Sequence, residues 1–242
     1  MIKMRGININ NEVHTGYDLD LLFTGFDNEM PAPKLLTEDI QGADGVTDYT
    51  EHAGLFPKYQ NRNPVFHFFA KGTKAEIMEK FNVLARYHGQ TVSVYIDDDN
   101  DFYFRGRATL AFGEVGALYA YFDLAVSAFP YKLKKNLTVK KYALESGGNI
   151  IVENNIMPVK LSVKVLSVTD PEPSDSAVYG AQFTHNGKSS IIQVGGTKTP
   201  EFIIAGGAQK ISVVGGKISN GNFLSNNSYG ASFKISFREG KF

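Results

Sequence analysis

The densest potential chemistry in this chain is the run Asp97–Asp98–Asp99–Asn100–Asp101. Asp97, Asp99 and Asp101 take the first three ligand positions of a calcium-binding loop. Such a loop needs glycine at its sixth position for the sharp turn and a bidentate glutamate at its twelfth, and here those positions hold Phe102 and Ala108. The pattern fails where it discriminates best, so the run reads as an acidic hairpin turn whose charge keeps it soluble. The five histidines, His14, His52, His67, His88 and His185, never stand three to five residues apart, so no local metal motif exists. His67 lies in an aromatic run and reads as packed or hydrogen-bonded rather than catalytic. No serine has a G-x-S-x-G setting, and neither Gly42–Ala43–Asp44–Gly45 nor any Gly-Gly pair leads into a phosphate-cradling helix start.

Two further clusters invite a binding function. Lys132, Lys134, Lys135, Lys140 and Lys141 form a basic group, but Tyr131 and Tyr142 only flank it, whereas a nucleic-acid platform interleaves its aromatics. A solvated strand edge that lysine keeps from sticking to other sheets is the better reading. Tyr142, Tyr179 and Tyr229 are candidates for stacking on a sugar, in a chain with no tryptophan. The residues therefore name no enzyme: the expectation is no catalytic site, no cofactor and no metal.

The elements that must carry these residues change character along the chain. Ile7–Asn10 and Tyr17–Phe26 alternate apolar and polar positions as half-buried strands do, before Met30–Pro31–Ala32–Pro33 breaks the pattern. Leu35–Ile40 leads into the glycine-bounded turn at 41–45, and Asp48–Thr50 and Leu55–Phe56 follow. Val65–Ala70 carries aromatics at both parities, as a strand buried on both faces would. Thr73–Tyr87 is the one helix: Thr73 and Glu76 make a capping box, Ile77, Phe81 and Leu84 share a face, and Gly89 supplies a left-handed stop. Gly89–Tyr131 then reads as a four-strand antiparallel meander, with turns at Asp97–Asp101, Arg105–Gly106 and Gly113–Gly116. From Leu133 onward, short β-branched runs recur between glycine-rich turns, the signature of a β-sandwich. Gly195–Gly196, Gly206–Gly207 and Gly215–Gly216 are among those turns, Asn186–Gly187 is a hairpin signal, and Thr169–Ser176 is a surface loop.

The 242 residues suffice for two ordinary domains, and 43% hydrophobic with 21% charged residues is globular composition. With no cysteine, disulfide and thiolate chemistry are excluded. No apolar run approaches the roughly 20 residues of a membrane span, and the first residues lack the apolar core of a signal peptide. The expected setting is a cytoplasm, or exit from it by a route other than secretion. The formal net charge of zero hides a reversal: residues 1–131 carry 11 basic against 18 acidic side chains, a net −7, and residues 132–242 carry 14 against 7, a net +7.

The ordered set YDLDLLFTGF, the 41–48 turn, VFHFF, the helix ending VLARYHG, the run Tyr95–Arg107 and the closing Phe129–Pro130–Tyr131–Lys132 resembles the distal tail protein family of long, non-contractile-tailed bacteriophages and their prophages. The second half resembles the galectin-like sandwich of that family in architecture. The resemblance implies a mainly β protein: a ring-forming α+β domain with one helix over residues 1–132, then a galectin-like β-sandwich over 133–242. It implies a structural virion protein, assembled in the host cytoplasm and placed at the tail tip. As a hexameric ring it would join the tail tube protein to the tail-tip hub protein and to receptor-binding components of the baseplate. DNA would pass through the ring without specific binding, and no membrane is involved. A stand-alone carbohydrate-binding or adhesion module is the competing reading.

Overall fold

The computed structural model describes residues 5–42, 44–50, 57–170, 177–220 and 222–242. His52, the Leu55–Phe56 run and most of the 169–176 loop lie outside them. Two compact units emerge: residues 1–135 with Phe242, and residues 136–241.

The first unit is built on strands β1 (Ile7–Ile9), β2 (Val13–His14), β3 (Leu22–Asp27), β4 (Thr37–Asp39), β5 (Val46–Asp48) and β6 (Val65–Lys71), helix α1 (Lys74–Ala85), then β7 (Thr91–Ile96), β8 (Phe102–Val115), β9 (Tyr119–Ala128) and β10 (Lys132–Lys134). The main sheet runs β2-β1-β7-β8-β9-β6-β3, all antiparallel, with β10 paired to the start of β8. It curls: Phe26 of β3 lies 6.5 Å from Phe104 of β8, although two strands separate β3 from β8 in the sheet order. Flat neighbouring strands lie about 4.8 Å apart, so only a strongly curved sheet brings those rings together. Inside the curl sit Phe66, Phe68, Phe104, Phe122, Leu124, Val94 and Ile9, all fully or nearly fully buried. Helix α1 closes this core, burying Ile77 and Leu84, and Phe81 stacks 3.8 Å from Phe112. Its capping box forms between Thr73 and Glu76. The helix ends at Ala85, and Gly89 (φ +76°) turns the chain three residues past the cap at Arg86.

Four expectations change in this unit. Arg105–Gly106 is not a turn but the middle of β8, so the meander has three long strands instead of four. A Cβ on Gly106 would run into the Ser127 carbonyl of β9, so this glycine records a close approach between strands. Gly113–Val115 likewise continues β8 past a bulge, and the chain turns only at 116–118. Tyr17–Leu21 is a turn, because Asp20 adopts φ +47° and the Asp18 carboxylate accepts from the His14 amide; Leu19 and Leu21 are buried all the same. Strand β6 is fully covered on one face only: Phe66, Phe68 and Ala70 are buried, while Val65, His67 and Phe69 are half-exposed on the convex face.

The second unit is a sandwich of two antiparallel sheets. Its strands are β11 (Thr138–Leu144), β12 (Gly148–Asn154), β13 (Val159–Lys160), β14 (Ser162–Thr169), β15 (Val178–His185), β16 (Lys188–Gln193), β17 (Thr197–Lys198), β18 (Ile203–Ile204), β19 (Gly207–Ser219), β20 (Asn222–Ser225) and β21 (Gly230–Phe237). One sheet is β11-β21-β14-β17, and the other is β12-β19-β15-β16 with β20 on β19. Phe183 and Phe233, one from each sheet, meet edge to face at 5.0 Å in the buried layer with Val165, Ile211 and Ile235. Asn186–Gly187 forms the expected two-residue hairpin, both residues at positive φ. Gly215–Gly216, read as a turn, lies inside β19, where a Cβ on Gly216 would strike the Leu224 carbonyl. The apolar-rich stretch 158–168 divides at Leu161 into β13, paired with β18, and β14.

Candidate functional site

The acidic run folds as a short 3₁₀ turn, Asp97–Asp99, between β7 and β8. Each of its first three carboxylates has its own partner. Asp97 accepts from the Gly6 amide at 2.9 Å and from His14 Nε2 at 3.1 Å. Asp98 meets Arg5 at 3.4 Å, and Asp99 meets Lys132 at 2.9 Å. The Asp101 carbonyl accepts from the Lys135 amide at 2.7 Å. Among the described residues no group of acids and histidines converges on a metal position. The turn is a fastening point for the N-terminal strand and for β10, rather than charge for solubility alone.

His14 shows how specific that fastening is. Its Nδ1 accepts two backbone N–H groups, those of Gly16 and Tyr17, at 3.2 and 3.1 Å. The ring proton therefore sits on Nε2 and donates to Asp97. His88 Nδ1 accepts from the Leu110 amide, and His185 Nδ1 donates to the Lys210 carbonyl. All three are tied to backbone groups through Nδ1.

His67 differs. Its Nδ1 lies 2.7 Å from Asp123 and its Nε2 3.3 Å from Asp27, so three adjacent strands each supply one member. Both partners are acceptors, so both ring nitrogens donate and the imidazolium is favoured. The hydrogen bond to Asp123 raises its pKa above the ordinary histidine value; burial opposes this and Asp27 adds to it. Linear spacing concealed this trio, because 40 and 56 residues separate its members and only strand register joins them.

The lysine group splits. Lys132 is largely buried against Asp99, and its ammonium stands 5.1 Å over the Phe104 ring. Arg62, itself buried, approaches the same ring at 5.2 Å and donates to the Pro130 carbonyl. Burial lowers its pKa. Lys135 lies over Tyr95. Lys140 and Lys141 stand on β11, an edge strand of its sheet, as expected of edge lysines.

The three tyrosines do not make one sugar platform. Tyr142 stacks on Phe233 and donates to the Ile151 carbonyl. Tyr179 and Tyr229 instead flank Lys217, whose ammonium pairs at 2.8 Å with the buried Asp170 carboxylate. That bond raises the lysine's pKa. This cluster was invisible in the sequence because its members come from four separate strand ends. A cleft of about 440 Å³ beside α1 is lined by Asp18, Asp20, Glu76, Glu79, Lys71 and Lys80. Three of its four acids are committed: Glu76 to the helix cap, Asp20 to Lys80, Asp18 to the His14 amide.

The geometry thus offers fastened loops and broad β surfaces. Among the described residues no helix is long and apolar enough to cross a membrane. No protein-family model and no curated protein matches the chain. Among solved structures, the chain is similar to the SPP1 Dit (gp 19.1) protein, described as a paradigm of hub adsorption apparatus in Gram-positive infecting phages. The identity is 12%, the TM-score 0.58, and the match covers 99% of this chain and 100% of that one. The chain has the mainly β fold of a phage distal tail hub protein, over its whole length.

Proposed function

We propose that this chain is a structural component of a long, non-contractile phage tail, forming a ring at the distal end of the tail tube. The likeness to a tail hub protein through both units, and not through a common sandwich alone, supports this reading. The first unit forms the ring, and the galectin-like second unit offers surface to baseplate or receptor-binding components. The tube protein and the tail-tip hub are its axial partners. The hexamer is the expected assembly, and it is completed in the host cytoplasm before the tail tip is finished. The arrangement needs neither cofactor nor metal. The net −7 of residues 1–131 suits a channel for DNA, since acidic walls repel phosphate and avoid adhesion driven by counterion release.

Electron microscopy of the full chain assembled with its tail tube protein tests this. Six-fold rings at one end of the tubes are the expected result. Tubes whose ends never recruit the chain would overturn the reading, and a ring with a basic channel wall would overturn the repulsion argument.

A further inference from the structure

Among the described residues, strands β4 and β5 pair only with each other, and all six of their residues are exposed. An isolated two-stranded ribbon is marginal in water, because it has no face on which to bury side chains. This one nevertheless carries Leu35, Leu36, Ile40 and Val46, between 44% and 66% exposed. By strand alternation Leu36, Glu38 and Ile40 project to one side. The exposed charges over 34–50 are Lys34 against Glu38, Asp39, Asp44 and Asp48, a net −3.

A matching surface exists on the same unit. It lies on the convex face of the main sheet, away from the part where Lys135 covers Tyr95. On β8 and β9 it presents the exposed small side chains Thr109, Ala111 and Ser127, with the half-exposed Ala125 beside them. Arg105 and Arg107 bound this strip at one end, and Phe69 with Tyr121, 5.2 Å apart, bound it at the other. The face's own acids, Asp27 and Asp123, are engaged by His67, so the charge without an acidic partner on it is that of Lys71, Arg105 and Arg107, the last also donating to the Gly89 carbonyl at 2.6 Å.

We propose that the β4–β5 ribbon is an intersubunit arm that lies on the convex sheet face of a second copy of this chain. Leu36 and Ile40 seat on the strip of small side chains, and Glu38 meets Arg105 and Arg107. Donor and acceptor are different surfaces, so the contact is head-to-tail, the kind that closes into a ring. The inference rests on the ring reading and specifies the contact that would build the ring.

The absence of cysteine makes a direct test clean. Full-length Glu38→Cys and Arg105→Cys chains are mixed and oxidised. A disulfide heterodimer in excess over both homodimers is expected; no excess would overturn the arm. In parallel, native mass spectrometry compares the unaltered chain with Leu36→Asp/Ile40→Asp, after circular dichroism establishes that the variant is folded. Loss of the oligomer supports the arm. Oligomers that persist in the variant overturn the arm while leaving the ring reading standing. An unaltered chain that assembles neither alone nor on tubes removes both.

Discussion

Lys132 and Asp99 close an ion pair at 2.9 Å with both side chains largely buried, fastening the acidic turn between β7 and β8 to strand β10. Lys132 also faces the Phe104 ring, so its charge is satisfied by a carboxylate and an aromatic face together. Removing one partner leaves the other charge half-buried. Lys132→Met should cost about 1–3 kcal/mol, an ion-pair loss reduced by partial solvent screening. The double variant with Asp99→Asn should recover part of that cost. Urea denaturation of the four proteins in a double-mutant cycle measures the coupling, and additive effects would contradict the pairing.

The first three carboxylates of the acidic run have separate partners, so calcium should find no site there. Millimolar calcium or a chelator should leave the melting temperature unchanged. A calcium-dependent rise seen by differential scanning fluorimetry, and abolished by Asp101→Asn, would restore the metal reading.

His67 carries a pH dependence of predictable sign. Its folded pKa is raised above the unfolded value, chiefly by Asp123. The trio's stabilisation is therefore fully present below the unfolded pKa of about 6.5 and fades as pH rises through the folded pKa. The first unit should be more stable at mildly acidic than at mildly alkaline pH, and His67→Gln should flatten that slope. Thermal melts across the window, with an NMR titration of the His67 ring, check both the sign and the residue.

Gly106 should not tolerate a side chain. A Cβ there meets the backbone of Ser127 and Ala128, which cannot move without disturbing the β8–β9 ladder. Gly106→Val should destabilise by about 3 kcal/mol through overpacking, even though valine favours strands elsewhere. Equilibrium unfolding decides it; a neutral result would mean the strands separate easily at this point.

Thr73→Ala removes the hydroxyl that accepts the Glu76 amide, and should cost about 1 kcal/mol. Thr73→Ser should retain most of it. The same denaturation experiment reads both, with circular dichroism reporting any fraying of α1.

Local chemistry was legible where neighbours in sequence are neighbours in space. The helix start, the Asn186–Gly187 hairpin and the β6 run follow from a capping box, a positive-φ turn and an apolar stretch, each within a few residues. Glycines inside strands misled, because Gly106 and Gly216 answer to a neighbouring strand, and nothing in the residues beside them shows that. The Tyr17–Leu21 alternation misled for the opposite reason: burial of Leu19 and Leu21 is satisfied by a turn as well as by a strand.

The sequence by itself determined that this is a mainly β chain with one helix, free of thiol chemistry, with opposite charge on its two halves; composition, periodicity and capping are local properties. Only the tertiary structure decided that Asp97, Asp98 and Asp99 serve as fasteners, that Asp27, His67 and Asp123 meet, and that an acidic ribbon is exposed along both its strands. Those facts depend on strand register and sheet curvature, which bring together residues tens of positions apart and leave no periodic trace in the chain.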